Sequence, residues 1–453
     1  NLSIPAQNVR LEIKPYKNEK DMSEIQMSAD GSLLNSRNYA TLNINNLSVL
    51  LPMYFKFLTG SDSTRNFKSD LYATINMTFN KEIWKLISIV TGNQLNGDHL
   101  TLSCEFNPSN KSTLNLSIES IDFNNNKIKE LTASLEAVNK SLKATTSIQK
   151  AIFNNNLIEG INIVLNHSGR EGNLNVLLGD PSSVEKIYAF IDADYILKEE
   201  AFNIRLKPSN LHLIKRKWQI NTDGYISFSE KSISVEDLFI VSDTTSIRVS
   251  GMLSNALDSS LTVIINKVPL GLVNLIVPDT LARIHGILSS NTTLTIYNGI
   301  KASSSIKISA LKVDEYVMGD GELMIRYSST EGGEFSGSLS DNTRKTLMLD
   351  GSISPDTSPV INASIALLRV PATLIEKYTK DIASRINGYI DFDVKINGEL
   401  KKPSVSGKLT LSDFSIRLNS LGETYKIPVG SVLITEDAYK IEPTTVILSL
   451  IHI

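Results

Sequence analysis

Cysteine is almost missing: Cys104 stands alone in 453 residues, so no intramolecular disulfide and no cysteine-based zinc site holds this fold together. It lies in the alternating run Leu100 to Phe106, on the side of Leu100, Leu102 and Phe106, and reads as a small buried hydrophobe rather than a reactive thiol. Histidine is scarce as well. His99, His167, His212, His285 and His452 are scattered, no two at metal-ligand spacing, and no metal is expected. Neither sign of charge dominates: 45 basic against 48 acidic residues leave -3, with no basic excess to favour nucleic acid. No 18 consecutive residues are apolar, which excludes the usual membrane-spanning helix. Also absent are a Gly-x-Ser-x-Gly elbow, a P-loop, a Gly-x-Gly-x-x-Gly after a strand and a His-Glu-x-x-His pair. Nothing therefore indicates an enzyme, and no cofactor is expected. Asp391 and Asp393, two apart on one strand face beside Lys395, read as a solvated outer surface rather than a calcium or catalytic pair.

What the sequence has in abundance is alternation. Leu114, Leu116 and Ile118, then Ile121 and Phe123, then Ile161, Ile163 and Leu165, then Leu174, Val176 and Leu178 recur at period two. Turn clusters such as Asn124-Asn125-Asn126 and Gly179-Asp180-Pro181 separate them, the pattern of an all-β protein. In the stretch Ile386 to Leu418, Ile390, Phe392, Val394 and Ile396 fall on one face and Asp391, Asp393 and Lys395 on the other. Asn397-Gly398 is expected to turn the chain, and Leu409 and Leu411 begin the return strand. After Asp413 the apolar set switches phase to Phe414, Ile416 and Leu418, as a β-bulge would make it do. Few helices are expected: Leu47 to Leu58, Glu82 to Val90, and Ala372 to Arg385, where Leu374, Tyr378, Ile382 and Ile386 recur every fourth residue.

The second half repeats itself. Val268-Pro269 returns as Val370-Pro371, and Arg283-Ile284-His285-Gly286 as Arg385-Ile386-Asn387-Gly388, both at an offset of 102 residues. Repetition at a fixed period makes a stack of units rather than unrelated globules. The chain thus divides into a β-rich region over residues 1–217, a repeat region over 218–447, and a tail over 448–453 that breaks the preceding alternation and is expected to be foreign to the protein. Asn1 is preceded by no methionine, basic n-region or apolar h-region, and the natural protein is expected to be longer at both ends.

Three segments carry a resemblance: Ile386-Asn387-Gly388, the run Gly398-Glu399-Leu400-Lys401-Lys402-Pro403-Ser404-Val405-Ser406-Gly407, and Asp413-Phe414-Ser415-Ile416. Together with Gly224 to Leu253 they resemble the repeating element of TamB/AsmA-like bacterial envelope proteins, over about half the chain, Gly224 to Ile447. The resemblance implies an extended, repetitive, twisted β-sheet curled lengthwise into an apolar groove, a β-taco or solenoid-like form with a few short helices. It implies a passive hydrophobic conduit for phospholipid between the inner and outer membranes, which also assists outer-membrane protein assembly. The groove residues would be Ile226, Phe228, Ile233 and Val235 in one repeat, and Ile390, Phe392, Val394, Ile396, Leu409, Leu411, Phe414 and Ile416 in the next. By the same resemblance the protein would work in the periplasm of a double-membraned bacterium. Its partners would be phospholipid, the inner membrane through an N-terminal anchor missing from this sequence, and an outer-membrane barrel of the BamA type. The alternative reading is a structural or adhesive surface protein whose β-repeats close on their own core and hold no ligand.

Overall fold

The computed structural model describes residues 8–15, 23–30, 38–42 and 73–449, the last range apart from 80, 82, 108–110, 124–125, 154–155, 181–186, 214, 222–223, 276–281, 343, 356 and 377. Among the described residues the chain is nearly all-β, 74% strand and 5% helix. It divides into two units, residues 1–230 with 236–242, and residues 231–235 with 243–453. The expected helix Leu47 to Leu58 lies outside the described residues.

In the first unit the clearest elements are four strands of 13 residues each, Lys111–Phe123, Asn126–Val138, Ser141–Phe153 and Asn156–Ser168, hydrogen-bonded to one another in chain order. Each switches its apolar face once, and the switches line up. Ile118, Leu131, Ile148 and Ile161 form one cross-strand row, while Ile121, Ile128, Ala151 and Ile158 form another, three residues away on each strand. Between the rows Glu130 and Gly160 take left-handed φ values of 50° and 72°. A single left-handed residue in a strand turns the following side chains to the other face. The switch therefore marks a crease across the sheet.

The helix Ile83–Thr91, which the sequence placed at Glu82 to Val90, sits under this crease. Its Ile83 and Trp84 are buried with Ile118, and Leu100, Leu116, Ile121 and Leu131 pack around them. The Trp84 indole N–H donates to the Asp98 carbonyl at 2.7 Å, and Gly97 carries no side chain because a Cβ there would come within 2.7 Å of the indole. Gly92, at φ 70°, ends the helix in the left-handed conformation that favours glycine.

In the second unit eleven successive strands pair antiparallel in chain order, Thr245–Ser254, Leu261–Pro269, Ile284–Thr295, Lys301–Val313, Tyr316–Ser328, Gly332–Asp341, Arg344–Ile353, Val360–Pro371, Ala383–Glu399, Ser404–Leu418 and Thr424–Ile434, and the short strands Tyr439–Ile441 and Ile447–Ser449 pair with the last of them. A crease crosses this sheet too, made of true bulges. Register shifts fall between Ile265 and Val268, Ile308 and Leu311, Leu339 and Ser340, Leu367 and Val370, and at Asn387. At or beside them Lys267, Ala310, Arg369, Arg385 and Asp413 all have φ between 49° and 52°. The phase switch expected at Asp413 is thus present, and it is one member of a line.

The 102-residue repeat acquires a physical meaning here. Val268-Pro269 and Val370-Pro371 each follow a bulged basic residue, Lys267 or Arg369, and each proline ends its strand. A short helical turn then crosses under the crease, the 3₁₀ turn Leu270–Leu275 in one copy and Thr373–Glu376 in the other.

Two sequence expectations need correction. The helix expected over Ala372 to Arg385 is one turn, Thr373–Glu376; residues 378–382 are turn, and the segment's end is drawn into a strand, where Ala383 pairs with Leu418 and the Asn419 N–H donates to the Ile382 carbonyl at 3.0 Å. Its fourfold apolar spacing mixes two environments, since Ile386 is 1% exposed in the crease while Tyr378 and Ile382 are 57% and 69% exposed. The turn expected at Asn397-Gly398 comes later. The strand runs on to Glu399, with Asn397 opposite Ser404, and the chain reverses at Leu400 to Pro403.

Candidate functional site

The strand registers of the second unit line up three rows of inward side chains that run perpendicular to the strands. Nearest the crease lie Val268, Leu288, Ile308, Gly321, Leu339, Leu347, Leu367, Phe392, Leu409 and Val432. The next row runs from Ile247 and Ile265 through Ser290, Ile306, Leu323, Gly337, Leu349, Ile365, Val394 and Gly407 to Ile434. The third includes Val249, Val263, Ile325, Phe335, Gly351, Ala363, Ile396 and Val405. Glycines stand among these residues where a neighbour leans across: a Cβ on Gly351 would lie 2.5 Å from the Phe335 ring. The sheet face opposite carries charge, as in the Lys307–Glu322 pair at 3.3 Å.

Burial separates floor from wall. At the crease Val268, Leu311, Met318, Leu339, Ile386, Ile390 and Phe414 are all below 10% exposed. Away from it Ile306, Leu323, Ile325, Phe335, Leu349, Ile365, Val394 and Ile396 are half-buried, neither covered by a second layer nor fully in water. A sheet bent along a line of bulges has this gradient, because the two limbs meet only at the bend.

The bend is visible in one contact. The Tyr316 hydroxyl donates to the Leu368 carbonyl at 3.0 Å, across the end of the intervening Gly332–Asp341 and Arg344–Ile353 hairpin. Leu311, Tyr316, Met318 and Leu339 are buried together there, with Leu270 and Leu374 from the two helical turns packed against them. Burial raises the Tyr316 phenol above its ordinary range, so it remains a neutral donor. The Thr346 hydroxyl, fully buried, donates to the Met318 carbonyl.

Several bulges are pinned from the neighbouring strand. The N–H of Lys267 donates to Ser289 Oγ at 3.0 Å, that of Ala310 to Asp320 Oδ1 at 2.6 Å, and that of Arg369 to Asp391 Oδ1. Asp391, read from sequence as plain outer surface, therefore fixes the crease, whereas Asp393 is exposed. The sequence does carry a signal for these bulges: apolar residues three apart inside an otherwise two-residue alternation, as at Ile265/Val268, Ile308/Leu311, Leu367/Val370 and Leu411/Phe414.

The expected groove residues occupy different depths. Ile390 and Phe414 are buried in the crease, with Phe392, Leu409, Leu411 and Ile416 packed half-buried against them. Val394 and Ile396 stand further out on the wall, half-buried. In the first unit Ile226 is half-buried opposite Ile204, and Phe228, 39% exposed, stacks on Phe202 with ring centroids 6.4 Å apart. In the second unit Val235 is 8% exposed and Ile233 is 40% exposed.

Polar candidates elsewhere are networks that hold strands in register. Asp194 accepts from Lys207 Nζ at 2.8 Å and from Asn173 at 3.1 Å, and these hydrogen bonds, Lys207 foremost, hold its carboxyl below the usual range. The buried His167 meets the Tyr195 hydroxyl at 3.0 Å through Nδ1, in a recess of 820 Å³ lined also by Glu136, Lys143 and Arg205. Among the described residues no group of three or more His, Cys, Asp or Glu side chains is placed to hold a metal ion, and no helix is long and apolar enough to cross a membrane. No protein-family model, no curated protein and no solved structure matches this chain.

Proposed function

We propose that the creased sheet is a passive hydrophobic conduit for phospholipid, its acyl chains lying along the inward rows while the head groups stay in water. The reading rests on one observation: the inward apolar residues of many consecutive strands form rows along the sheet and remain half-buried. A sandwich with a closed core would bury them under a second layer.

The energetics need no catalytic residue. Each methylene moved from water to an apolar wall gains about 0.8 kcal/mol, so a two-chain lipid is strongly disfavoured in an aqueous gap and is accommodated beside continuous Ile, Leu, Val and Phe. Movement along the rows requires only that successive positions be similar in depth. A repeat of 102 residues supplies that similarity. In this proposal the protein belongs with the TamB/AsmA-like envelope proteins that its sequence resembles. It would work in the periplasm of a double-membraned bacterium, tethered to the inner membrane by a segment outside this sequence and meeting a BamA-type outer-membrane barrel, where it assists protein assembly.

Mass spectrometry of lipid retained by the purified, detergent-free chain tests this. More than one phospholipid per chain, lost on Phe392→Asp with Val394→Asp, is the expected result. A chain folded by circular dichroism that carries no lipid sinks the proposal in favour of a closed structural or adhesive repeat.

A further inference from the structure

The inward rows of the second unit are not uniform. On the strands Ile284–Thr295 and Lys301–Val313 the second row carries Ser290, and the third carries Thr292 opposite Ser304. All three are half-buried and face inward, between Ile265 and Val263 on one side and Ile306 and Ile325 on the other. The Thr292 and Ser304 hydroxyls are 2.7 Å apart and hydrogen-bonded to each other. The row nearest the crease stays apolar at the same place, through Leu288 and Ile308. From Tyr316–Ser328 onward the outer two rows then hold only apolar residues and glycine, the third as far as Val405 and the second as far as Ile434 on Thr424–Ile434, a span of seven strands or about 29 Å at the usual spacing.

We propose that Ser290, Thr292 and Ser304 form a polar step in the trough wall, which leaves one apolar track along the crease and selects between single-chain and two-chain amphiphiles. The inference rests on the conduit reading above. A single acyl chain passes the step along Leu288 and Ile308 without leaving an apolar surface. A two-chain lipid cannot lay both chains on that one row, so its second chain must lie over hydroxyls. Those hydroxyls offer fewer apolar contacts than the Ile and Val on either side, and the displaced chain meets water. Two-chain lipid is thereby confined to the stretches on either side of the step.

The test counts spin-labelled probes bound at saturation by the full chain, stearic acid as the single-chain probe and a phosphatidylcholine labelled on its acyl chain as the two-chain probe. The variant S290V/T292V/S304A is expected to bind at least one more phosphatidylcholine per chain than the original, with the stearic acid number unchanged. The reverse variant, Leu323→Ser with Ile325→Thr, places a second step in the long apolar stretch and is expected to lower the phosphatidylcholine number by at least one. It also keeps the inference testable should the first variant fail to fold. Unchanged phosphatidylcholine numbers in the folded variants overturn the step while leaving the trough intact. A folded original chain that binds neither probe overturns the conduit reading itself, and the step with it.

Discussion

Val394 and Phe414 lie on adjacent strands and both face inward, Val394 on the wall opposite Gly407 and Phe414 further along at the crease, yet an open trough gives them opposite sensitivities. Phe414 is 7% exposed, packed in the crease with Ile390 and Ile386 and held there by the left-handed Asp413 before it. Phe414→Ala removes a buried ring from a place where the bulge line prevents collapse, and is expected to cost about 3–5 kcal/mol. Val394 faces Ile365 on one side and Gly407 on the other, so it has one apolar cross-strand partner and is only half-buried. Losing half the burial of a valine costs about 1 kcal/mol, and a carboxylate that keeps contact with water adds about as much again. Val394→Asp is therefore expected to cost about 2 kcal/mol and leave the chain folded. Urea unfolding followed by circular dichroism measures both, with the slope of each transition checked for constancy. The reasoning fails if Val394→Asp destabilises as much as Phe414→Ala. That result would mean a second layer covers the wall and the carboxylate has been driven into a closed core.

Other positions carry independent expectations. Asp391→Ala removes the acceptor of the Arg369 N–H and should cost about 1–2 kcal/mol, while Asp391→Asn keeps an acceptor oxygen and should cost clearly less; equal losses would deny Asp391 its part in the bulge. The Asp194–Lys207 pair should stabilise by about 0.5–1 kcal/mol at neutral pH, since both side chains are more than a third exposed. The lowered Asp194 carboxyl contributes above the unfolded carboxylate value and loses its contribution as pH falls through its folded value. The stability gap between the original and Asp194→Asn should accordingly shrink from pH 7 to pH 3, and a constant gap would refute the pairing. Burial, followed by the neighbouring Glu105, raises the Cys104 thiol, so iodoacetamide at pH 8 should alkylate it several-fold more slowly than in the urea-unfolded chain. Equal rates would place Cys104 in open water.

Much of the fold is legible in the sequence because alternation at period two is a direct consequence of the pleat. The strands around Leu116, Ile163, Val176, Phe392 and Leu409 need no long-range information, and the helix under the first crease is announced by its own apolar run at Ile83 to Ile89. The failures have a common cause in neighbouring strands. Ala372 to Arg385 has helical spacing, yet only its first turn is helix and its last three residues join a strand, because Leu418 and Asn419 offer backbone partners that no local pattern reveals. Asn397-Gly398 has the composition of a tight turn, yet pairing with Ser404 carries the strand past it. Tertiary hydrogen bonding outweighs local preference in both places. Gly398 still uses its freedom there, with φ at 108° inside the strand.

The site was legible in composition and hidden in depth. Sequence alternation says which side chains share a face, and it sorts Ile390, Phe392, Val394 and Ile396 correctly onto one side of their strand. It cannot say that Ile390 is floor and Val394 is wall, because both are aliphatic residues at the same period. The distinction comes from the distance of each residue to the nearest phase switch, and a single switch such as Asp413 means little alone. A bulge in one strand is a local defect. When Arg385 on the adjacent strand and Arg369 on the strand beyond it are left-handed too, and Ala310 and Lys267 are so further along the sheet, the defects align into a bend that no strand encodes separately. The apolar pair three apart, Ile265/Val268, Ile308/Leu311, Leu367/Val370 and Leu411/Phe414, is the local trace of that collective feature. A trough of this kind is specified less by which apolar residues it contains than by where each strand is made to skip a beat.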